Sequence, residues 1–171
     1  MSRSSRREGT LLRSARGGSV DAFEELFRAH WPDAYRAALL VVHDRAAAED
    51  IAQDAFLRAI RALDRFDRRR PFAPWLHRIV VNRAIDWTRA RASRQESELD
   101  GDRPAADRLP DVGDEVMAAL AGLSPEHRAV IVMRHLLGYT PTEIAEQLDL
   151  PRGTVNSRLR RGLDDLKERL E

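Results

Sequence analysis

The stretch 140–166 constrains the fold most, because it encodes two short helices separated by a tight break. Thr140 can cap the first helix, and Glu143 completes a Thr-x-x-Glu capping box, in which each side chain bonds the other residue's backbone N–H. Pro151 pushes the residue before it out of the helical region, so the first helix ends near Asp149 and a second one begins. Two short helices joined in this way indicate a helix-turn-helix.

The second of these helices combines an apolar stripe with a basic leading end. Apolar residues recur at spacings of three and four and predict one buried face: Val155, Leu159, Leu163, Leu166 and Leu170. The other side begins with hydrogen-bond donors and cations and has no carboxylate: Arg152, Thr154, Asn156, Ser157, Arg160 and Arg161. Such a helix fits the major groove of DNA. The alternative from this segment alone is a helical hairpin with a solvated, arginine-rich face.

Composition narrows the class of protein. The chain of 171 residues could form one domain or two small ones, and the absence of cysteine excludes disulfides and thiolate metal sites. No apolar run approaches the ~20 residues of a membrane span, and the polar, basic start has no signal-peptide core. The five histidines show no metal-ligand spacing, and there is no glycine-rich phosphate loop. We therefore expect a cytoplasmic protein that is not an enzyme and has no metal or cofactor.

Charge is segregated along the chain although the net charge is only +1. Arginines dominate residues 68–94, where Asp86 is the one carboxylate, whereas carboxylates dominate residues 95–115. Proline, glycine and few apolar residues accompany the acidic block, which predicts a flexible linker over 94–113. The expected architecture is all-α, with a disordered start at 1–9 and two small helical domains at 10–93 and 114–171.

The helix predicted over 45–66 has an inward and an outward side. Its buried stripe is expected to contain Ile51, Ala55, Phe56, Ala59, Ile60 and Leu63, while Asp50, Gln53, Asp54 and Leu57 lie away from the centre of that stripe. An outward leucine among carboxylates and an amide is compatible with a docking surface. A single exposed leucine is also ordinary on any protein surface.

The next helix, predicted over 75–91 after two prolines, interleaves aromatic and cationic side chains. Trp75, Arg78, Asn82, Arg83 and Arg89 share its polar side. Unpaired bases stack on aromatic rings, arginine holds phosphates and an amide can read a base edge, so this pattern suits single-stranded nucleic acid. A tryptophan at helical spacing is also a common core residue.

The order of these parts resembles an extracytoplasmic-function (group 4) sigma factor of the sigma-70 family. DAFEELF at 21–27 resembles the family's opening helix, and AEDIAQDAFLRAIRAL at 48–63 resembles region 2.2. FAPWLHRIVVN at 72–82 is similar to region 2.3 running into 2.4. PRGTVNSRL at 151–159 is similar to the region 4.2 signature Pro-x-Gly-Thr-Val-x-Ser-Arg. The resemblance covers about 11–170.

The resemblance implies a sigma factor that binds core RNA polymerase, recognises the −35 and −10 promoter elements and assists melting. It assigns Asp50, Gln53, Asp54 and Leu57 to the β′ clamp helices, with the β subunit as a further contact. It assigns Trp75, Arg78, Asn82 and Arg83 to the melted −10 element. It assigns Asn156, Ser157, Arg160 and Arg161 to the −35 major groove, with Arg152 and Thr154 nearer phosphates. The chain would act as a monomer on the polymerase, and an anti-sigma factor is a further candidate partner.

Three positions depart from the family pattern. Asn156 stands where Arg or Lys is common, and an amide prefers adenine to guanine. Asp149 occupies a turn position that is often glycine, and residues 69–71 replace a stretch that is usually smaller and more polar. Two competing functions remain open from the sequence: an autonomous dimeric helix-turn-helix regulator that binds a palindromic duplex, and an adaptor that binds only protein.

Overall fold

The computed structural model describes residues 3–67, 69–97 and 112–171, and every regular element within them is helical. The prediction of an all-α fold is confirmed. The α-helices are α1 (Arg3–Arg16), α2 (Val20–Val42), α3 (Arg45–Ala62), α4 (Phe72–Ser97), α5 (Asp114–Ala121), α6 (Pro125–Ile131), α7 (Pro141–Leu148) and α8 (Arg152–Leu170), with a 3₁₀ turn at Leu63–Arg65 and a π-helical turn at Val132–Leu136.

The amino-terminal helix begins earlier than the sequence predicts. The composition of residues 1–9 predicts disorder, but α1 is helical from Arg3. Two contacts hold this first part of α1 against α2: Arg7 forms an ion pair with Glu25, and Glu8 lies 3.0 Å from Nε2 of His30. A charged segment that finds partners on a neighbouring helix can be ordered without apolar burial of its own, which hydropathy does not reveal.

Helix α2 also differs from the prediction, which placed an interruption at Trp31 and Pro32. The helix continues through Pro32, which is exposed. A proline inside a helix costs about 3 kcal/mol through its missing N–H and the clash of its ring. Aromatic packing opposes that cost: Trp31 stacks on Phe27 at 4.8 Å between ring centroids, and Phe27 packs on Phe56 of α3 at 4.7 Å. Tertiary contacts therefore override the local preference.

The carboxyl-terminal helix buries a shorter stripe than its leucine spacing predicts. Val155 and Leu159 are buried, but Leu163 and Leu170 are 40% and 45% exposed. Gly162 takes the inward position instead, because a Cβ there would lie 2.8 Å from Cδ1 of Ile131 on α6. The close approach of α6 and α8 at Gly162 thus leaves Leu163 and Leu170 outward, while Leu166 packs partly buried against the core.

Helix α4 runs to Ser97, past the predicted start of the linker at residue 94. Residues 98–111 of that predicted linker lie outside the described residues. In the part of the chain that the structure describes, no helix is long and apolar enough to cross a membrane.

The two predicted helical halves pack on each other. Helix α6 contacts both α2 and α4, α7 contacts α4, and α5 contacts α2. A single cluster of buried apolar side chains runs through both halves, from Leu39 and Val80 to Val130 and Ile144. Burial of apolar surface therefore stabilises the contact between the halves as well as each half by itself.

Arg128 is the main polar link at this contact. It is 5% exposed, and its guanidinium donates to three backbone carbonyls: Val41 at the end of α2, and Ala121 and Leu123 before α6, the last two at 3.0 and 2.8 Å. Val41 and Ala121 lie in the last turns of α2 and α5, where carbonyls lack helical partners, and Leu123 lies in the turn before α6, so the arginine satisfies acceptors from both halves. A second link is the ion pair between Arg89 of α4 and Glu126 of α6, at 2.7 Å.

Substitution of Arg128 should destabilise the whole chain. Arg128→Ala leaves three carbonyls without their charged donor, and we expect the free energy of unfolding to fall by about 3 kcal/mol in urea titrations. The control is Arg61→Ala, an exposed arginine of α3, which should change it by less than about 0.5 kcal/mol. Equal losses in the two variants would contradict the role of Arg128.

Candidate nucleic-acid interface

The helix-turn-helix forms as its local chemistry predicts. Thr140 Oγ1 accepts from the Glu143 N–H at 3.3 Å, and Glu143 Oε2 accepts from the Thr140 N–H at 2.7 Å, which completes the capping box. Asp149 ends α7 in the left-handed conformation, with φ 53° and ψ 49°. Aspartate tolerates this conformation better than most residues, so the turn forms without the glycine common in the family.

The first half of α8 presents a polar and cationic surface to solvent. Arg152, Asn156, Arg160 and Arg161 are exposed, while Thr154 and Ser157 are half-buried. Arg158 is half-buried on another side. Burial alone would raise the pKa of Glu126, but the hydrogen bond from Arg89 and the charges of Arg89 and Arg158 lower it. The exposed set is therefore accessible to a ligand, whereas Arg158 lies close enough to Glu126 of α6 for its charge to act on that carboxylate.

Helix α4 brings three of the predicted single-strand contacts onto one face. Trp75, Arg78 and Asn82 follow at spacings of three and four; Arg78 is exposed and the other two are half-buried. Phe66 packs on Trp75 at 4.6 Å between ring centroids, which fixes the indole. Arg83 lies beside this face, where its Nε contacts Oδ2 of Asp54 at 3.0 Å.

Helix α3 carries an exposed apolar strip beside this surface. Leu57 is 51% exposed, and Ile60, predicted to be buried, is 38% exposed one turn further on. Asp50 and Gln53 are exposed on the preceding turns. Asp54 is bound twice, by Arg58 at 2.8 Å and by Arg83. The predicted docking residues thus share one side of α3, and Ile60 enlarges it.

A cleft of about 620 Å³ separates α4 from the first helix of the helix-turn-helix. Trp75 and Arg78 line its α4 side, while Glu143 and Gln147 of α7 line the opposite side. Part of the predicted single-strand surface therefore faces α7, and a carboxylate stands opposite its arginine. No local sequence pattern signals this arrangement, because the two walls are far apart in the chain.

A buried hydrogen bond lies at the base of this contact. His77 is 4% exposed, and its Nδ1 is 2.7 Å from the Tyr139 hydroxyl. Burial lowers the pKa of His77 to about 4. The charge of Asp33 acts to raise this pKa, and the charge of His30 acts to lower it. Burial raises the pKa of Tyr139. The imidazole is therefore neutral near pH 7 and shares a hydrogen bond with the phenol hydroxyl.

The chain setting around Tyr139 explains how it reaches His77. The π-helical turn after α6 ends with a Leu137 N–H to Val132 carbonyl bond at 3.1 Å, and Gly138 follows with φ 76°. A positive φ favours glycine, so Gly138 permits the sharp turn that directs Tyr139 inward.

Both halves of the chain match family models. Residues 26–94 match sigma-70 region 2, and residues 113–166 match sigma-70 region 4. The ECF RNA polymerase sigma factor SigM of Mycobacterium tuberculosis is 35% identical over 161 residues, which are 93% of this chain and 82% of SigM.

Two solved structures have the same fold. CnrH, in complex with the cytosolic domain of CnrY, aligns with a TM-score of 0.71 and 30% identity over 95% of this chain and 96% of CnrH. The sigma factor RpoE of Bartonella quintana, in complex with the anti-sigma factor NepR, aligns with a TM-score of 0.75 and 24% identity over 88% of this chain and 98% of RpoE.

The chain belongs to the extracytoplasmic-function group of the sigma-70 family and is an RNA polymerase sigma factor that directs promoter-specific initiation. This assignment favours the sigma factor over the autonomous dimeric regulator and the adaptor. Within the described residues, no group of three or more potential ligands is arranged to hold a metal ion.

Acid should weaken the fold through His77. Its folded pKa is about 4, below the unfolded value of 6.5, so the unfolded state takes up the proton first and stability is lost as pH falls from about 6.5 to about 4. At pH 5 the free energy of unfolding should be lower by about 2 kcal/mol because of His77. In urea titrations at pH 7 and pH 5, the His77→Gln variant should lack this part of the decrease. His135→Gln, at an exposed position, is the control. An unchanged pH dependence in His77→Gln would contradict this role of His77.

Proposed function

We propose that three helices of this sigma factor carry its three binding surfaces, each formed by the residues that the sequence analysis assigned to it. The outer side of α3 docks on core polymerase, one face of α4 holds the melted −10 strand, and the first half of α8 reads the −35 element. The observation that carries the proposal is the exposed, carboxylate-free surface of α8, formed by Arg152, Asn156, Arg160 and Arg161. We place the region boundaries at 10–93 and 114–171.

The docking surface combines Asp50, Gln53, Asp54 and Leu57, and we add Ile60. Two large apolar side chains exposed side by side on α3 are unfavourable in water unless a partner covers them. The clamp helices of the β′ subunit are the partner we assign to this strip, with the β subunit as a further contact. Because the ion pair between Asp54 of α3 and Arg83 of α4 helps to orient the two helices, docking would also position the −10 face.

The −10 surface consists of Trp75, Arg78, Asn82 and Arg83. Bases stack on an aromatic ring with about 1–3 kcal/mol each, which offsets the few kcal/mol needed to unstack a base from the duplex. Phe66 and Phe72 pack against the Trp75 ring, and the half-buried indole lines the cleft, where a base could reach it. Arg78 is exposed at the next turn and suits a phosphate, and Asn82 can read the edge of a flipped base.

The −35 surface lies on α8. Arg160 and Arg161 suit guanine or phosphate, Asn156 suits adenine through its amide, and Ser157 can bond either base. Arg152 and Thr154, near the start of α8, suit phosphates because the helix amino terminus carries partial positive charge.

The packed arrangement has to open before both elements are read. A compact chain of this length has a radius of gyration of about 16 Å, hence a diameter of about 40 Å. Elements about 25 base pairs apart are separated by on the order of 80 Å at 3.4 Å per base pair. A fully extended segment from Ser97 to Asp114 would span at most about 60 Å, enough to let the two halves separate. When the polymerase holds the two halves apart, they can bind the two promoter elements at the same time, and binding of one element raises the effective concentration of the other.

We propose further that the chain acts in the cytoplasm, as a monomer on the polymerase, and performs no chemical step itself. A protein inhibitor of the anti-sigma class is a further partner. CnrH was solved with the cytosolic domain of CnrY, and a protein bound across both halves would stabilise the packed arrangement.

Leu57→Arg should reduce affinity for core polymerase by about ten-fold or more, because it places a charge in an apolar contact. Competition against a labelled sigma factor measures the affinity. The matched control is Val20→Arg, at a 75% exposed apolar position on α2, which should bind as the unsubstituted chain does. Asp54→Arg is less suitable, since it would also disrupt the ion pairs of Arg58 and Arg83. Equal affinities for both variants would refute the docking assignment.

Asn82→Ala should lower open-complex formation about ten-fold while closed-complex binding changes little, because the base is flipped only after melting. Permanganate reactivity of the promoter measures opening, and binding at low temperature measures the closed complex. Thr88→Ala is the control on the same helix, where the hydroxyl bonds the Ala84 carbonyl at 2.8 Å. If Asn82→Ala lowered open-complex formation and closed-complex binding equally, the assignment of Asn82 to the flipped base would be contradicted.

A further inference from the structure

The cleft of about 620 Å³ between α4 and α7, which we call the α4–α7 cleft, has oppositely charged walls. Its wall formed by α4 and the segment before α4 contains Arg65, Arg70 and Arg78, and its α7 wall contains Glu143 and Glu146. Among the residues that the structure describes, no ion pair connects these arginines to these glutamates. Opposite charges that face one space without contact suit a ligand that bridges the two walls.

Part of the polar lining of this cleft is already engaged. Asp67 accepts from a backbone N–H of its own loop at 3.0 Å, and the Glu143 carboxylate completes the capping box of α7. Glu146 forms no ion pair with the described residues, and Oε1 of Gln147 is buried without a hydrogen-bond partner among them. A buried acceptor without a donor is unfavourable, so a ligand N–H at this wall would be stabilising. The α7 wall therefore offers acceptors, and the opposite wall offers cations.

Apolar side chains complete the lining of the cleft. They belong to Phe66, Pro71, Pro74 and Trp75, and the indole of Trp75 is half-buried. An indole packs well on a flat aromatic ring. The volume of the cleft lies within the range of about 300–1,000 Å³ that is usual for small-ligand sites, which often lie between domains. The cleft thus combines a surface for a planar ring with cations for an anionic group and acceptors for N–H donors.

We propose that the α4–α7 cleft binds a guanine nucleotide. Guanidinium groups contact phosphate oxygens bidentately, so the three arginines hold the phosphates. The base packs on Trp75, and its neighbouring N1–H and amino groups donate to the Glu146 carboxylate, which only accepts. Adenine presents an acceptor at N1 where guanine presents a donor, so the carboxylate selects guanine. Gln147 Oε1 is a second acceptor on the same wall.

A bound nucleotide would hold the two halves together. Because it contacts both walls, it binds the packed arrangement and loses one wall when the halves separate, so it shifts the population towards the packed state. The nucleotide and the melted −10 strand would also compete for Trp75 and Arg78. This inhibitory consequence rests on the proposed function, whereas the binding itself rests only on the lining of the cleft.

The test uses the full chain and GDP that carries a fluorescent methylanthraniloyl label on its ribose. Fluorescence anisotropy measures binding, and unlabelled GDP and ADP are compared as competitors. GDP should bind about ten-fold more tightly than ADP, because a good bidentate contact to a base contributes that degree of discrimination. Glu146→Ala should weaken GDP binding about ten-fold and leave ADP binding unchanged. The matched control, Glu168→Ala, removes an exposed carboxylate of α8 outside the cleft and should retain the preference.

A second variant tests the phosphate side of the site. Arg65→Gln should weaken the binding of GDP and ADP alike, by about ten-fold, because it removes a charge-assisted hydrogen bond to phosphate. Arg61→Gln is its control, since Arg61 is exposed four residues earlier and does not line the cleft. Circular dichroism melting of all four variants confirms that they fold.

Three results would overturn the proposal. The first is no displaceable binding of the labelled GDP up to about 1 mM. The second is equal affinity of the unsubstituted chain for GDP and ADP, and the third is an equal effect of the cleft variants and their controls.

The assay contains neither polymerase nor DNA, so its failure can be told apart from failure of the proposed function. A chain that fails to bind core polymerase but prefers GDP keeps the nucleotide site and loses the sigma role. A chain that initiates transcription but does not bind the labelled GDP loses the nucleotide site alone.

Discussion

The contact between the two helical halves depends on a few buried polar groups set in a continuous apolar core. Arg128 joins the end of α2 to the turn before α6, and the neutral His77 shares a hydrogen bond with the hydroxyl of Tyr139. Each group is buried with its partner, and a buried polar group without its partner would be costly. The arrangement is therefore specific: the halves adhere through apolar contact, and the polar pairs fix their orientation.

This orientation affects how the promoter can be read. The polar surface of α8 that we assign to the −35 element stays exposed, whereas Trp75 and Arg78 line a cleft whose other wall is α7. The same face of α4 thus has two possible partners: α7 of the helix-turn-helix in this structure, and the melted strand that we assign to it on the promoter. Because separation of the halves exposes the apolar surface buried between them, the contacts with the polymerase that we propose have to offset that cost.

Local chemistry explains which parts of the fold were predictable from sequence. The capping box at Thr140, the turn at Asp149 and the helical class of every described element depend on neighbours in the chain, and those predictions are confirmed. The continuation of α2 through Pro32, the start of α1 at Arg3 and the exposure of Ile60 depend on tertiary packing, and they were predicted wrongly. His77 and Tyr139 are 62 residues apart, so no local pattern could pair them. The roles of the site residues remain predictions.

Run-off transcription with the purified chain, core RNA polymerase and a promoter library tests the central claim most directly. We expect start sites that require the chain and share a −35 and a −10 sequence. Asn156→Ala should abolish the preference for adenine at one position of the −35 element. Absence of chain-dependent start sites, together with tight dimeric binding of the chain to a palindromic duplex without polymerase, would contradict the assignment as a sigma factor.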